Sequence, residues 1–233
     1  MIDIKKALRK FAPTFLHGRD ANLNEADTVL RLCKFFEDVL GFDAIEDISR
    51  EANLKNKFVD VCLKVDGKIR LLVEAKAAAV QLRDRHIEQA QAYAAHNNYQ
   101  WVLLTNGVDW NLYHLTFSEG IEFEVAFTAS LATAESVDFA AEKLGLLHKR
   151  SIEKGQLNAF WETSTALGPA SIGMSLFTDE VLSALRRQVR KDTGHLIDQE
   201  EIASAIHQMF TVDAREQLGP MRIRRKRRLT KDA

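Results

Sequence analysis

Apolar positions recur along this chain in two periods, and the switch between them marks its organisation. From Asn24 to Leu40 they follow helical spacing, with Val29, Leu32, Phe36, Val39 and Leu40 on one stripe. Asn24 is placed to cap that helix, Asp27 falls in its first turn, and Gly41 stops it. Phe42 to Ile48 reads as a short strand. Period-two alternation then takes over in Phe58–Val65 and Ile69–Lys76, with Asp66-Gly67 near the bend between them. Leu82 to His96 returns to helical spacing through Ile87, Ala90, Tyr93 and Ala94. Trp101–Leu104 is a buried-strand run that ends at the turn signal Thr105-Asn106-Gly107. Trp110–Leu115 alternates as the returning strand, and Ile121–Phe127 adds another. This order, helix, three strands, helix, strand, predicts an α/β fold with a mixed sheet.

After residue 130 the pattern becomes helical, with segments at Ala134–Leu144, Ile152–Trp161, Thr178–Arg190 and Gln199–Met209 and a break near Leu167–Gly173. The expected organisation is an α/β domain over 1–130, a helical region over 131–220 and a basic tail, expected to be disordered, over 221–233.

The parity of the two alternating runs carries the first chemical clue. Their apolar residues are odd-numbered in both: Val59, Val61, Leu63 and Val65, then Ile69, Leu71, Val73 and Ala75. Residues opposite one another in an antiparallel pair share a face, so burying both sets together requires odd to pair with odd. The connection must then hold an odd number of residues, or the hairpin must carry a bulge. A three-residue loop, Val65-Asp66-Gly67, would satisfy this. The same register gathers Asp60, Glu74 and Lys76 on the other face. Two carboxylates and a lysine at the ends of adjacent strands are what metal-assisted phosphodiester hydrolysis uses. Glu and Lys two apart also fit a solvated strand face, and spacing alone does not choose. Glu25, four residues before Val29, is likewise either a charge favoured at a helix N-terminus or a group aimed into a site.

Composition narrows the partners. Charged residues make up 28% of the chain and hydrophobic ones 46%, as in ordinary water-exposed folds. There is no apolar run of membrane-spanning length and no signal-peptide pattern at Met1-Ile2-Asp3-Ile4-Lys5-Lys6, so a cytoplasmic protein with no membrane contact is expected. Cys33 and Cys62 fall inside apolar patterns and read as reduced core thiols. The histidines lack zinc-ligand spacing. No phosphate-binding G-x-x-x-x-G-K-[ST] loop, nucleophile elbow or dinucleotide fingerprint occurs. The formal net charge of −1 conceals an asymmetry: Arg222, Arg224, Arg225, Lys226, Arg227, Arg228 and Lys231 stand against Asp232, a net of +6 in the tail and −7 elsewhere. Such a run suits a phosphate-binding arm with salt-dependent, sequence-independent affinity, and equally a solvated tail.

Asn24-Glu25-Ala26 opening a helix that ends at Leu40-Gly41-Phe42, Val59-Asp60, Glu74-Ala75-Lys76, Gln89-Ala90-Gln91-Ala92-Tyr93 and Leu104–Tyr113 with its Thr-Asn-Gly and Trp occur in that order. Together they resemble the N-terminal nuclease domain of type I restriction enzyme R subunits, a branch of the PD-(D/E)xK superfamily, over roughly Asn24 to Leu115. Val59 stands where the superfamily often has Pro. Full R subunits continue into a helicase motor, whereas this chain has helices and a basic tail, like a free-standing member.

The resemblance implies a restriction-endonuclease-like αβββαβ core and a Mg²⁺-dependent deoxyribonuclease, with Mn²⁺ as a substitute metal. It implies Asp60 and Glu74 as metal ligands with the Ala75 carbonyl and Glu25, Lys76 on the attacking water, and Gln89 in a supporting catalytic role. DNA is the implied partner, and a homodimer or a protein docked on the helical region would complete it. Tyr93, Thr105, Asn106 and Trp110 fit packing and turn formation better than chemistry. A non-cutting nucleic-acid-binding or assembly module, and a repair or junction nuclease, are the alternatives.

Overall fold

A computed structural model describes residues 3–54, 57–117 and 120–224. Helix α1 (Ile4–Asp20) occupies a stretch where the pattern predicted no element; Leu8, Ala12 and Phe15 form its buried stripe. Helix α2 (Glu25–Asp38) starts as expected, with the Asn24 side chain accepting the Asp27 amide at 2.9 Å.

The strand expected at Phe42–Ile48 does not form. Asp43 accepts the amides of Ile45 and Glu46 at 2.8 and 2.9 Å, and the Asp47 carboxylate accepts the Asp43 amide at 2.8 Å. These acidic side chains offer the backbone local partners and wind it into a turn instead. Buried Asp47 is then paired with Lys149 at 2.7 Å. The first strand is β1 (Ile48–Leu54), followed by β2 (Lys57–Val65), β3 (Lys68–Ala75), β4 (Trp101–Thr105), β5 (Asp109–Thr116) and β6 (Glu122–Ser130).

The six strands lie side by side in chain order. Only β3 and β4 run parallel; the other neighbours are antiparallel. The parallel step needs a crossover, supplied by a short 3-10 turn (Asp84–His86) and helix α3 (Glu88–Asn97). The mixed-sheet αβββαβ order is therefore present. α3 lays Ala90, Tyr93 and Ala94 over Cys62, Leu72, Val102 and Leu104. On the other side Phe15 and Phe35 meet Trp110 at ring separations of 5.8 and 5.1 Å. Burial from both sides explains why Leu71-Leu72-Val73 and Val102-Leu103-Leu104 are unbroken apolar runs.

The chain forms two compact units, Met1–Ala159 and Phe160–Ala233, so the first runs past the expected division at residue 130. It includes α4 (Ala134–Gly145) and α5 (Lys149–Glu153). Asp138 of α4 binds Lys5 and Arg9 of α1 at 3.0 and 2.7 Å. Helix α6 (Gln156–Ala166) spans the division.

The second unit contains α7 (Pro169–Leu176), α8 (Asp179–Thr193), α9 (Gln199–Met209) and α10 (Val212–Leu218). Phe177, Leu182, Ile202 and Ala203 form its own small core. Within it the Arg224 amide donates to the Phe177 carbonyl at 2.8 Å, and the Arg224 carbonyl accepts the Asp179 amide at 3.1 Å. Among the described residues no helix is long and apolar enough to cross a membrane.

Candidate active site

The β2–β3 hairpin sets the register of the site. Its turn is the two-residue Asp66-Gly67, with both residues left-handed (φ 53° and 70°) and Val65 opposite Lys68. The expected three-residue loop is thus absent. A bulge at Leu63/Lys64 supplies the odd residue instead, and past it Leu63 faces Leu71 and Val61 faces Val73. Odd pairs with odd by this route.

Beyond Val61 and Val73 the ladder gives way to a side chain: Asp60 Oδ2 accepts the Ala75 amide at 2.7 Å. This places the Asp60 carboxylate at the end of β3, beside Glu74. On the far side of β3 the Lys76 amide donates to the Thr105 carbonyl at 2.9 Å, continuing the parallel pairing. The Lys76 ammonium returns to donate to Glu74 Oε1 at 2.6 Å and to Glu25 Oε2, from the first turn of α2, at 3.4 Å. Glu25, Asp60, Glu74, Ala75 and Lys76 are thereby brought to one corner.

That corner is electrostatically loaded. The Glu74 side chain is only 12% exposed, and burial pushes its carboxyl from 4.5 up to about 7. The Lys76 hydrogen bond opposes that rise, while Asp60 and Glu25 reinforce it. For Lys76, burial pulls downward, but the hydrogen bond to Glu74 and the charges of Glu74, Glu25 and Asp60 together raise it. Three carboxylates around one ammonium leave an excess of negative charge and a set of hard oxygen donors.

Such donors fit Mg²⁺, which keeps several waters and takes only one or two protein carboxylates. Among the described residues no three His, Cys, Asp or Glu side chains already converge as a metal cage.

The remaining expected residues fall into two groups. Gln89 is exposed in the first turn of α3, whereas Tyr93, one turn on, is buried against the sheet. Thr105, Asn106 and Trp110 build the turn that holds Lys76. The Thr105 hydroxyl donates to the Asp109 carbonyl at 2.8 Å and accepts the Gly107 amide at 2.9 Å. Asn106 accepts the amides of Val108 and Asp109 at 2.9 and 2.7 Å, and the Trp110 indole donates to the Gly107 carbonyl at 3.0 Å.

Of the basic run, Arg222 and Arg224 lie in the second unit, while Arg225, Lys226, Arg227 and Arg228 are outside the described residues.

Two features were missed by sequence reasoning. Arg50 of β1 lines an open groove of about 600 Å³ together with Glu25, Ala26, Val29 and Asp60. Its strand, Ile48–Leu54, is too polar to show a clear alternation, which hid it. His86 titrates below its usual value, through burial first and then the positive charges of Arg85, Lys76 and Arg83. The basic turn before α3 is therefore within electrostatic reach of Lys76. The Arg-Asp-Arg-His run at 83–86 was the available signal.

Comparison with curated proteins and with solved structures gave no match. A family model does match, from the turn after α2 to the middle of β6, a span that holds Asp60, Glu74, Lys76, Gln89 and the Thr105–Trp110 turn but leaves Glu25 outside. Residues 41–126 match the type I restriction enzyme R protein N terminus, the family whose motifs the sequence resembles.

Proposed function

We propose that this chain is a metal-dependent endonuclease that hydrolyses DNA phosphodiester bonds in a restriction role. The observation that carries this reading is the corner itself: Asp60 on the Ala75 amide, with Glu74 and Lys76 joined at 2.6 Å beside it. A buried carboxylate raised to about 7 beside a lysine and a second carboxylate is the kind of arrangement that hydrolytic sites use, and it supports this reading alongside the geometry.

Asp60 and Glu74 would hold Mg²⁺ or Mn²⁺, with the Ala75 carbonyl as a further ligand and Glu25 farther out. The metal would supply Lewis-acid polarisation of a phosphoryl oxygen and an acidified water. Lys76 is an ammonium at neutral pH, because its pKa lies above the usual lysine value. It therefore donates hydrogen bonds to the attacking water and offsets phosphate charge rather than removing a proton. Glu74 would have to be ionised to hold the metal, since only the carboxylate is a ligand. Gln89 would hydrogen-bond the water or the DNA from α3. Cutting both strands calls for two such corners, so a homodimer is the assembly that this reading implies.

The test is incubation of supercoiled plasmid and of single strands with Mg²⁺ or Mn²⁺, comparing wild type with Asp60→Ala and Lys76→Ala. Wild type should nick and linearise plasmid, EDTA should stop it, and each variant should lose about a hundredfold or more in rate. Linear product should rise faster than first order in protein concentration if two copies act together. The assignment fails if wild type cuts nothing with either metal, or if the variants cut as well as wild type.

A further inference from the structure

A phosphodiester strand approaching this corner meets Glu25, Asp60 and Glu74, and the Lys76 ammonium beside them is already engaged by Glu74 and Glu25. Even a bound divalent ion would leave little net attraction for a polyanion. Besides the basic turn before α3, the groove leading to Asp60 carries a further positive charge. Its walls are Glu25, Ala26 and Val29 of α2, and its other lining residues are Arg50 and Asp60. Arg50 is opposite Val61 in the β1–β2 ladder and lines the groove beside α2 together with Asp60. Its charge is felt by Cys33 of α2, lowering a thiol that burial otherwise raises. The Arg50 side chain is exposed to solvent.

Resting on the nuclease reading, we propose that Arg50 is a phosphate-anchoring residue. It would take a backbone phosphate next to the scissile one and lay the strand along the α2–β1 groove into the Asp60 corner. A guanidinium suits this task because its fork of donors matches two phosphate oxygens at once. On the helix side Ala26 and Val29 offer the fork no hydrogen-bond acceptor from their side chains, and Glu25, at the start of α2, is engaged by Lys76 at 3.4 Å. The groove of about 600 Å³ is open and has room for a sugar-phosphate unit rather than an enclosed small molecule. Anchoring a non-reacting phosphate adds binding shared by ground and transition states. It should therefore show in binding and in KM, not in the chemical step.

The experiment uses the full chain and two separate readouts. Fluorescence anisotropy of a labelled 20-mer DNA duplex in EDTA, across a salt series, compares wild type with Arg50→Ala and Arg50→Lys. Arg50→Ala should weaken binding by about five- to tenfold and reduce the log–log salt slope by about 1. Arg50→Lys should keep the slope yet recover only part of the affinity, since a point charge lacks the fork. Steady-state cleavage with Mg²⁺ should show KM raised by the same factor and kcat within about twofold. Circular dichroism melts confirm that each variant is folded. Unchanged affinity and slope in Arg50→Ala overturns the anchor, as does wild type that fails to bind DNA at all. A loss confined to kcat also overturns it. Absence of cleavage with normal, Arg50-dependent binding would instead reject the nuclease reading and leave the anchor standing.

Discussion

Glu74 exchanges most of its hydration for one short hydrogen bond to Lys76, and its carboxyl is raised to about 7 as a result. Mg²⁺ binds only the carboxylate, so in the metal-free protein loading must expel the Glu74 proton. Calorimetric titration should therefore show affinity rising about tenfold per pH unit up to 7 and levelling above it. An affinity flat between pH 6 and 8 would remove Glu74 from the ligand set. The same shift has a stability consequence. The folded-state pKa lies above the ordinary 4.5, so the protonated form stabilises the fold below that value, and this contribution is lost as pH rises toward 7. It amounts to about 3 kcal/mol. Glu74→Gln cannot titrate, so its melting temperature should gain on wild type steadily between pH 4.5 and 7. Lys76 is also shifted upward and acts only at alkaline pH, outside that window. A constant difference between the two proteins would show that the ion pair, not desolvation, dominates Glu74.

At the scale of elements, the turn between β4 and β5 supports the site from behind, because its Thr105 carbonyl holds the Lys76 amide. Gly107 in that turn has φ 88°, and a Cβ there would run into the ring of Phe15. Gly107→Ala should therefore combine left-handed strain with overpacking and cost about 3 kcal/mol. Thermal melts should fall by roughly 5–10 °C. Gly67→Ala in the hairpin turn, where φ is 70° but nothing lies within 4 Å, should lose only about 1 kcal/mol. Equal losses would mean that Phe15 does not brace the turn.

The contrast also shows what could be read from the chain before folding. Parity in β2 and β3 was enough to put Asp60, Glu74 and Lys76 together, because a face buried along two strands leaves one register. It could not choose between a longer loop and a bulge, since both restore the same pairing. Asn24, Gly41 and the Thr-Asn-Gly turn announced their positions through local chemistry. Helix α1 stayed hidden because Pro13 interrupts its pattern, and tertiary packing of Phe15 overrides that local penalty. β1 stayed hidden because it is a polar edge strand defined by its neighbour. Arg50 was lost along with it.

Over the whole molecule, charge is divided between an acidic corner in the first unit and a cationic run at the end of the second. Arg224 is tied by its backbone to Phe177 and Asp179, so a truncation after Arg224 keeps that bridge while removing Arg225, Lys226, Arg227, Arg228 and Lys231. Such a protein should melt like wild type. Its DNA affinity should drop, with the log–log salt slope shallower by up to about 4. An unchanged slope would mean that the run contributes no phosphate contacts.

The Lys76–Thr105 hydrogen bond has a consequence for biosynthesis. It crosses a parallel pairing, and parallel neighbours cannot meet until the intervening crossover has been made and folded back. The β2–β3 hairpin, by contrast, closes locally and early. A ribosome-bound chain that stops short of β4 would thus lack the Thr105 carbonyl that accepts the Lys76 amide. On topology alone, residues 101–109 would close the site last, since the Lys76 amide finds its partner only once β4 is in place.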